Sequence, residues 1–184
     1  GLETIQAVSF SYCTKLVNVT LPQGLKSIGR NAFSQCSTLK SIDIPDGVTF
    51  IESFAFSQCW KLESVKLPQK LETLERGVFS GCNNLYRVNI PNSVTFIGSS
   101  AFSDCKNLSE LTIPESVTHI GSNAFKNCEM LLQVENGVSY VGKWAVDFEK
   151  DSEEVVLRSD TVGLCEDLFF ASTTLLKVTL PNSL

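Results

Sequence analysis

The sequence predicts an α/β-type repeat solenoid of about eight coils, on three observations. First, residues return at a period of 23: Cys13, Cys36, Cys59, Cys82, Cys105 and Cys128 share one phase, and Phe10, Phe33, Phe56, Phe79, Phe102 and Phe125 share another. Second, Pro22, Pro45, Pro68, Pro91 and Pro114 stand in a third phase, each closing a short alternating segment. Third, 43% hydrophobic and 19% charged residues suit a continuous core with a modestly charged surface. A stacked coil buries its apolar face only against its neighbours, so residues 1–184 are expected to form one domain, with 132–165 as degenerate coils. Leu2 and Leu184 already occupy core positions, so the chain is expected to be a fragment of a longer array.

Each coil begins with an alternating segment: Asn18–Leu21, Ser41–Ile44, Ser64–Leu67, Arg87–Ile90, Glu110–Ile113, Glu154–Leu157 and Lys177–Leu180. Period-two alternation reads as a half-buried strand. Stacking would set these strands in one parallel sheet at about 4.8 Å per rung. Proline ends each strand because it has no amide to donate, and polar pairs such as Asp46-Gly47 make the corner. A second extended piece follows, as in Val48–Ile51. Gly29, Gly98, Gly121 and Gly142 then mark a turn with positive φ or close backbone approach. The Ala-Phe-x-x-Cys-x-x-Leu section spaces apolar residues three apart and predicts one turn of 3₁₀ or α helix. The pattern decays after Leu131: two residues are missing between Val134 and Val138, and Arg158 stands where proline is expected. The run Glu149–Glu154 reads as a solvated loop.

Written out, the unit resembles the BspA-like class of leucine-rich repeats. The resemblance rests on IPDGVTFIESFAFSQCWKLESVKLP, IPNSVTFIGSSAFSDCKNLSELTIP and IPESVTHIGSNAFKNCEMLLQV, and it spans nearly the whole chain. It implies a leucine-rich-repeat right-handed curved coil, with one parallel β-sheet on the concave face and short 3₁₀/α turns on the convex side. It also implies a secreted or cell-surface setting, in microbes that adhere to host or bacterial surfaces. Function is an analogy at this level, because one fold serves many sites.

Composition narrows the chemistry. A net charge of −5 with both signs interspersed argues against a nucleic-acid footprint. No apolar run approaches the roughly 18 residues of a membrane span. His119 is the only histidine, which removes most acid–base and triad schemes. The six in-phase cysteines lie between core Phe and core Leu positions, where free Cys packs as a small apolar residue. A reduced, buried ladder is the expectation, with disulfide pairing between rungs as the alternative. Metal binding is disfavoured, because a ladder sets ligands along a line rather than around a point. Cys165 falls at a turn position, where a partly covered bystander is the first expectation and the one accessible thiol the alternative.

Recognition should use the positions the period leaves free. On the sheet face these are Asp43, Lys66, Tyr86, Arg87, Asn89 and Glu110, side-chain types common at binding hot spots. A second candidate is an aromatic flank of Phe50, Phe96, His119 and Tyr140 at equivalent positions of nearby coils. Trp60 and Trp144 could be exposed contacts or convex-side packing. The sequons at Asn18 and Asn107 matter only in a eukaryotic secretory pathway. The expectation is a non-enzymatic module that binds protein or glycan ligands on host or microbial surfaces, as a monomer. No cofactor, no metal, no nucleic acid and no membrane insertion are expected. The competing expectation is a structural spacer that displays another domain and binds nothing.

Overall fold

The computed structural model describes residues 1–184. Sixteen short strands follow the coils. The first coil has β1 (Thr4–Ile5), and the next begins its flank with β2 (Ser27–Ile28). Each later coil adds a face strand and a flank strand: β3 (Ser41–Asp43) and β4 (Phe50–Ile51), β5 (Ser64–Lys66) and β6 (Thr73–Leu74), β7 (Arg87–Asn89) and β8 (Phe96–Ile97), β9 (Glu110–Thr112) and β10 (His119–Ile120). A different section follows, with β11 (Gln133–Glu135), β12 (Val138–Val141) and β13 (Trp144–Phe148). Regular coils resume with β14 (Glu154–Val156), β15 (Gly163–Leu164) and β16 (Lys177–Thr179).

The face strands pair in parallel in the order β3-β5-β7-β9, and Ser41, Ser64, Arg87 and Glu110 stand side by side. Their exposed–buried–exposed alternation sends Ile42, Val65 and Val88 into the core. The expected single sheet is thus only part of the architecture. The flank strands form further parallel ladders, β1-β2-β4 and β6-β8-β10, because the second extended piece stacks in register as well. The expected strand at Asn18–Leu21 does not form.

The side of each coil that carries the Phe and Cys rows has no helix, nor has any other part of the chain, which corrects both the 3₁₀/α expectation and the α/β-type class: the fold is a β-solenoid. Apolar residues three apart would fit a helical turn, but the amides there are used otherwise. Phe54, Phe56 and Phe79 donate N–H to Arg76, Val78 and Ala101 of the following coil, at 2.9–3.0 Å. Between them, Ala55, Ser57 and Cys59 close turns onto residues three back. Two residues per coil take positive φ to turn amides outward, such as Asn31 (54°) and Gln35 (60°), or Phe54 (60°) and Gln58 (56°). Of the glycines expected at this turn, only Gly142 has positive φ. Gly98 is there for close approach: a Cβ would sit 2.7 Å from the backbone nitrogen of Arg76.

One core cluster runs from Ile5 to Leu168. Its spine is the phenylalanine row, with Phe33, Phe56, Phe79, Phe102 and Phe125 buried and stacked at 5.3–5.7 Å between centroids. The cysteines run alongside as free thiols. The Sγ of Cys36, Cys59, Cys82, Cys105 and Cys128 each donates to the phenylalanine carbonyl of the preceding coil, as Cys59 does to Phe33 and Cys82 to Phe56, at 3.1–3.2 Å. Burial pushes the Cys36 and Cys128 thiols up to about 12. Cys165 is covered rather than accessible: it is buried, donates to the Val146 carbonyl, and is likewise pushed up to about 12, chiefly by burial. The exposed thiol is Cys13. Native protein treated with a maleimide should therefore label once, at Cys13, and seven times after denaturation in the absence of reductant. Rapid native labelling at Cys165 would contradict the packing.

Candidate ligand-binding face

Four of the sequence-predicted face residues come from three consecutive rungs. Lys66, Arg87, Asn89 and Glu110 end or begin their strands, so their side chains point off the sheet while Val65 and Val88 anchor the backbone beneath. Tyr86, just before β7, is 44% exposed and stands beside them. Arg87 Nη1 lies 3.9 Å from Glu110 Oε2, and both side chains are more than 60% exposed. An exposed pair of that kind contributes at most about 1 kcal/mol, so it orients the guanidinium more than it holds the fold. Asp43 is the lateral neighbour of Lys66 in the ladder, but no ion pair joins them. The lysine ammonium is left uncommitted. A shallow open groove of about 620 Å³ follows Arg87, Asn89, Glu110 and Thr112.

The aromatic flank is only partly assembled. Phe50 is 45% exposed, and the Thr73 rung separates it from Phe96. Phe96 and His119 pair across β8 and β10, half-buried, with rings stacked at 4.7 Å and 3°. Tyr140 does not continue the line, which corrects the four-residue stripe. It is fully buried, its hydroxyl accepts a hydrogen bond from the Arg158 backbone amide at 3.1 Å, and the Arg158 guanidinium lies 4.2 Å above its ring. The rung expected to carry Tyr140 is supplied instead by β13, where Trp144 pairs with Gly163 of β15. Trp144 is buried with its ring over Gly163, whereas Trp60 is 52% exposed.

The cause is the section between Gln133 and Phe148. Strands β11, β12 and β13 form an antiparallel meander, and only β13 stacks in parallel on the next coil, through β15. The face sheet therefore stops at β9 and resumes as a separate pair, β14-β16. Between β9 and the meander lies a cleft of about 800 Å³, walled by Leu111, Ile113 and Pro114 on one side and by Gly142, Lys143 and Trp144 on the other. Sequence reasoning did not find this cleft. Its signal was the two-residue deficit before Val138, which removes the apolar-Pro pair that would have closed the rung.

The comparisons agree with this architecture. The model of the BspA type leucine-rich repeat region matches in 6 copies, over residues 3–132 and 79–184. No curated protein matches significantly. Among solved structures, the chain is similar to a leucine-rich repeat protein from Bacteroides ovatus, with 29% identity and a TM-score of 0.74. That alignment covers 100% of this chain and 53% of the other. It is also similar to a leucine-rich repeat protein of T. pallidum, with 30% identity, a TM-score of 0.72, and coverage of 95% and 72%. A leucine-rich cell surface protein from Faecalibacterium prausnitzii aligns at 27% identity and a TM-score of 0.65, covering 98% of this chain and 61% of that one. The chain thus spans about half the length of the Bacteroides protein.

Proposed function

The chain belongs to the BspA-type leucine-rich repeat family, and on that premise we propose that it is a non-catalytic binding module of a secreted or cell-surface protein. Its ligands are protein or glycan surfaces, engaged by the face sheet around Lys66, Tyr86, Arg87, Asn89 and Glu110. The observation that carries this reading is the variety of that face. The solenoid repeats its core residues almost without change, yet the outward positions run Ser41, Ser64, Arg87, Glu110 in one row and Asp43, Lys66, Asn89, Thr112 in the next. A spacer needs only soluble rungs there. An uncommitted lysine beside an exposed tyrosine and arginine on a rigid sheet supplies cationic, aromatic and hydrogen-bonding contacts at little ordering cost. The description of a similar structure as a cell surface protein supports the location.

The triple variant Lys66→Ala/Tyr86→Ala/Arg87→Ala tests the patch without touching the core. Binding of the soluble chain to a glycan array and to immobilised extracellular-matrix proteins should fall at least tenfold, with the thermal midpoint nearly unchanged. A loss of that size corresponds to about 1.4 kcal/mol, which one hot-spot side chain can supply. Binding equal to that of the parent chain would discard this face and favour the spacer. The stacked Phe96–His119 pair and Phe50 are a second, smaller contact on the flank, and Phe50→Ser with Phe96→Ser probes it in the same assay.

A further inference from the structure

We propose that the cleft between β9 and the β11–β13 meander is a strand-acceptor site, which binds an extended peptide segment of a partner protein as the missing rung of the face sheet. The inference goes beyond the central patch and uses backbone atoms that the patch does not.

Three observations place a strand there. The first is the hydrogen-bond series along the face. Glu63, Tyr86 and Ser109 donate their amides to Lys40, Glu63 and Tyr86 of the preceding coil, at 2.8–3.3 Å. The next amide in that series, at Leu132, turns away to Cys128, and the Ser109 carbonyl receives nothing. Strand β9 pairs only with β7. Because Glu110 donates back to Tyr86, alternation along a parallel strand points the Leu111 amide and carbonyl toward the cleft. An unpaired edge of this kind is a template for another chain.

The second observation is burial. In the regular coils Ile42, Val65 and Val88 are at most 7% exposed, as are Ile44, Leu67 and Ile90. Their counterparts Leu111 and Ile113 are only half-buried, and Pro114 is half-buried where Pro45, Pro68 and Pro91 are buried. A seventh face strand would restore all three. The third observation is charge. Both lateral ion pairs on the face join a basic residue to a glutamate in the neighbouring rung, Arg87 with Glu110 and Lys177 with Glu154. Glu110 borders the open side as well, so the incoming strand should present a basic residue next to it. The occupant is thus an extended segment of the form basic-aliphatic-polar-aliphatic-proline, running parallel to β9. Its aliphatic side chains would extend the rows of Leu111 and Ile113, and its proline would enter the cleft beside Trp144.

The test uses a fluorescein-labelled, end-capped peptide with the sequence of residues 85–91, LYRVNIP, titrated into the full chain and followed by anisotropy. Saturable binding is expected, with slowed exchange of the Leu111 and Ile113 amides. N-methylation of the peptide at its arginine and asparagine, the amides aimed at the Ser109 and Leu111 carbonyls, should weaken binding more than tenfold. Glu110→Lys, an exposed substitution that leaves the core intact, should weaken the arginine peptide about fivefold and favour a peptide with glutamate in its place. Failure to bind, or equal binding of the N-methylated peptide, overturns the proposal. Binding retained in Lys66→Ala/Tyr86→Ala separates this site from the central patch, so either can fail alone. Loss of binding in that variant would move the peptide to the patch and overturn the strand slot.

Discussion

Phe79→Ala is expected to lower the free energy of unfolding by about 3–5 kcal/mol, the range for removing a buried aromatic ring from a core that cannot collapse around the gap. Phe79 is fully buried and lies between Phe56 at 5.7 Å and Phe102 at 5.6 Å. Its backbone also joins the convex ladder, donating N–H to Ala101 and accepting the Sγ–H of Cys105 at 3.2 Å. Neighbouring coils cannot close the cavity, because their own spacing is held by the same ladder on both sides. In a solenoid each coil touches only its neighbours, so a central defect also weakens the coupling between the two halves. Urea denaturation should show a lower midpoint and, if that coupling falls far enough, a second transition. The same substitution at Phe10, which is exposed in the first coil, should cost much less. Equal losses at the two positions would contradict the packing argument.

A comparable loss is expected from alkali alone. In the unfolded chain the thiols ionise near 9.0, whereas in the fold burial pushes Cys36, Cys128 and Cys165 up to about 12 and holds Cys82 and Cys105 well above 9.0. A folded value above the unfolded one leaves stability untouched below about pH 9. Between 9 and 12 the unfolded chain gives up protons that the native chain keeps, and each thiol withdraws about 1.4 kcal/mol per pH unit. The three thiols raised to about 12 together withdraw about 4 kcal/mol by pH 10, a large part of the stability of an ordinary domain, and Cys82 and Cys105 act in the same direction. Urea midpoints at pH 7, 8.5, 9.5 and 10 should stay level and then fall steeply. The decisive comparison is between variants. Cys105→Ala should flatten the alkaline slope, and Cys13→Ala, at an exposed site, should leave it unchanged. Identical slopes in both would remove the thiols as the cause.

The two corrections to the sequence reading have separate physical origins. The convex helix was inferred from apolar spacing, which a helical turn and a laddered turn share. What separates them is where the backbone amides go, and that depends on the next coil. The sequence carried half a hint: six of the twelve positive-φ positions in the first six coils are Asn31, Gly77, Gly81, Asp104, Asn123 and Asn127, residues that tolerate left-handed backbone, while the others include Val8, Tyr12 and Phe54. Tyr140 was aligned 21 residues after His119 by carrying the two-residue deficit into an otherwise regular coil, which assumes that the shortened coil still stacks like the others. The two-residue deficit before Val138 makes the chain double back, so that Trp144 takes the rung and Tyr140 turns inward to Arg158. Cys165 follows the same logic, since its burial depends on Val146 arriving from the meander.

Phe, Pro and Cys in phase were enough to determine a stacked solenoid and its core rows, and the family resemblance was legible in the same residues. Their information is local and repeated, so it survives translation by one coil. The alternation within each rung likewise decided which face-strand residues look outward, because a strand's period is set by backbone geometry. Only the tertiary structure decided what happens where the repeat fails: the meander, the interrupted face and the cleft beside β9. Those features depend on pairings between segments that no periodicity relates. A missing rung also leaves unpaired backbone atoms that no residue letter records.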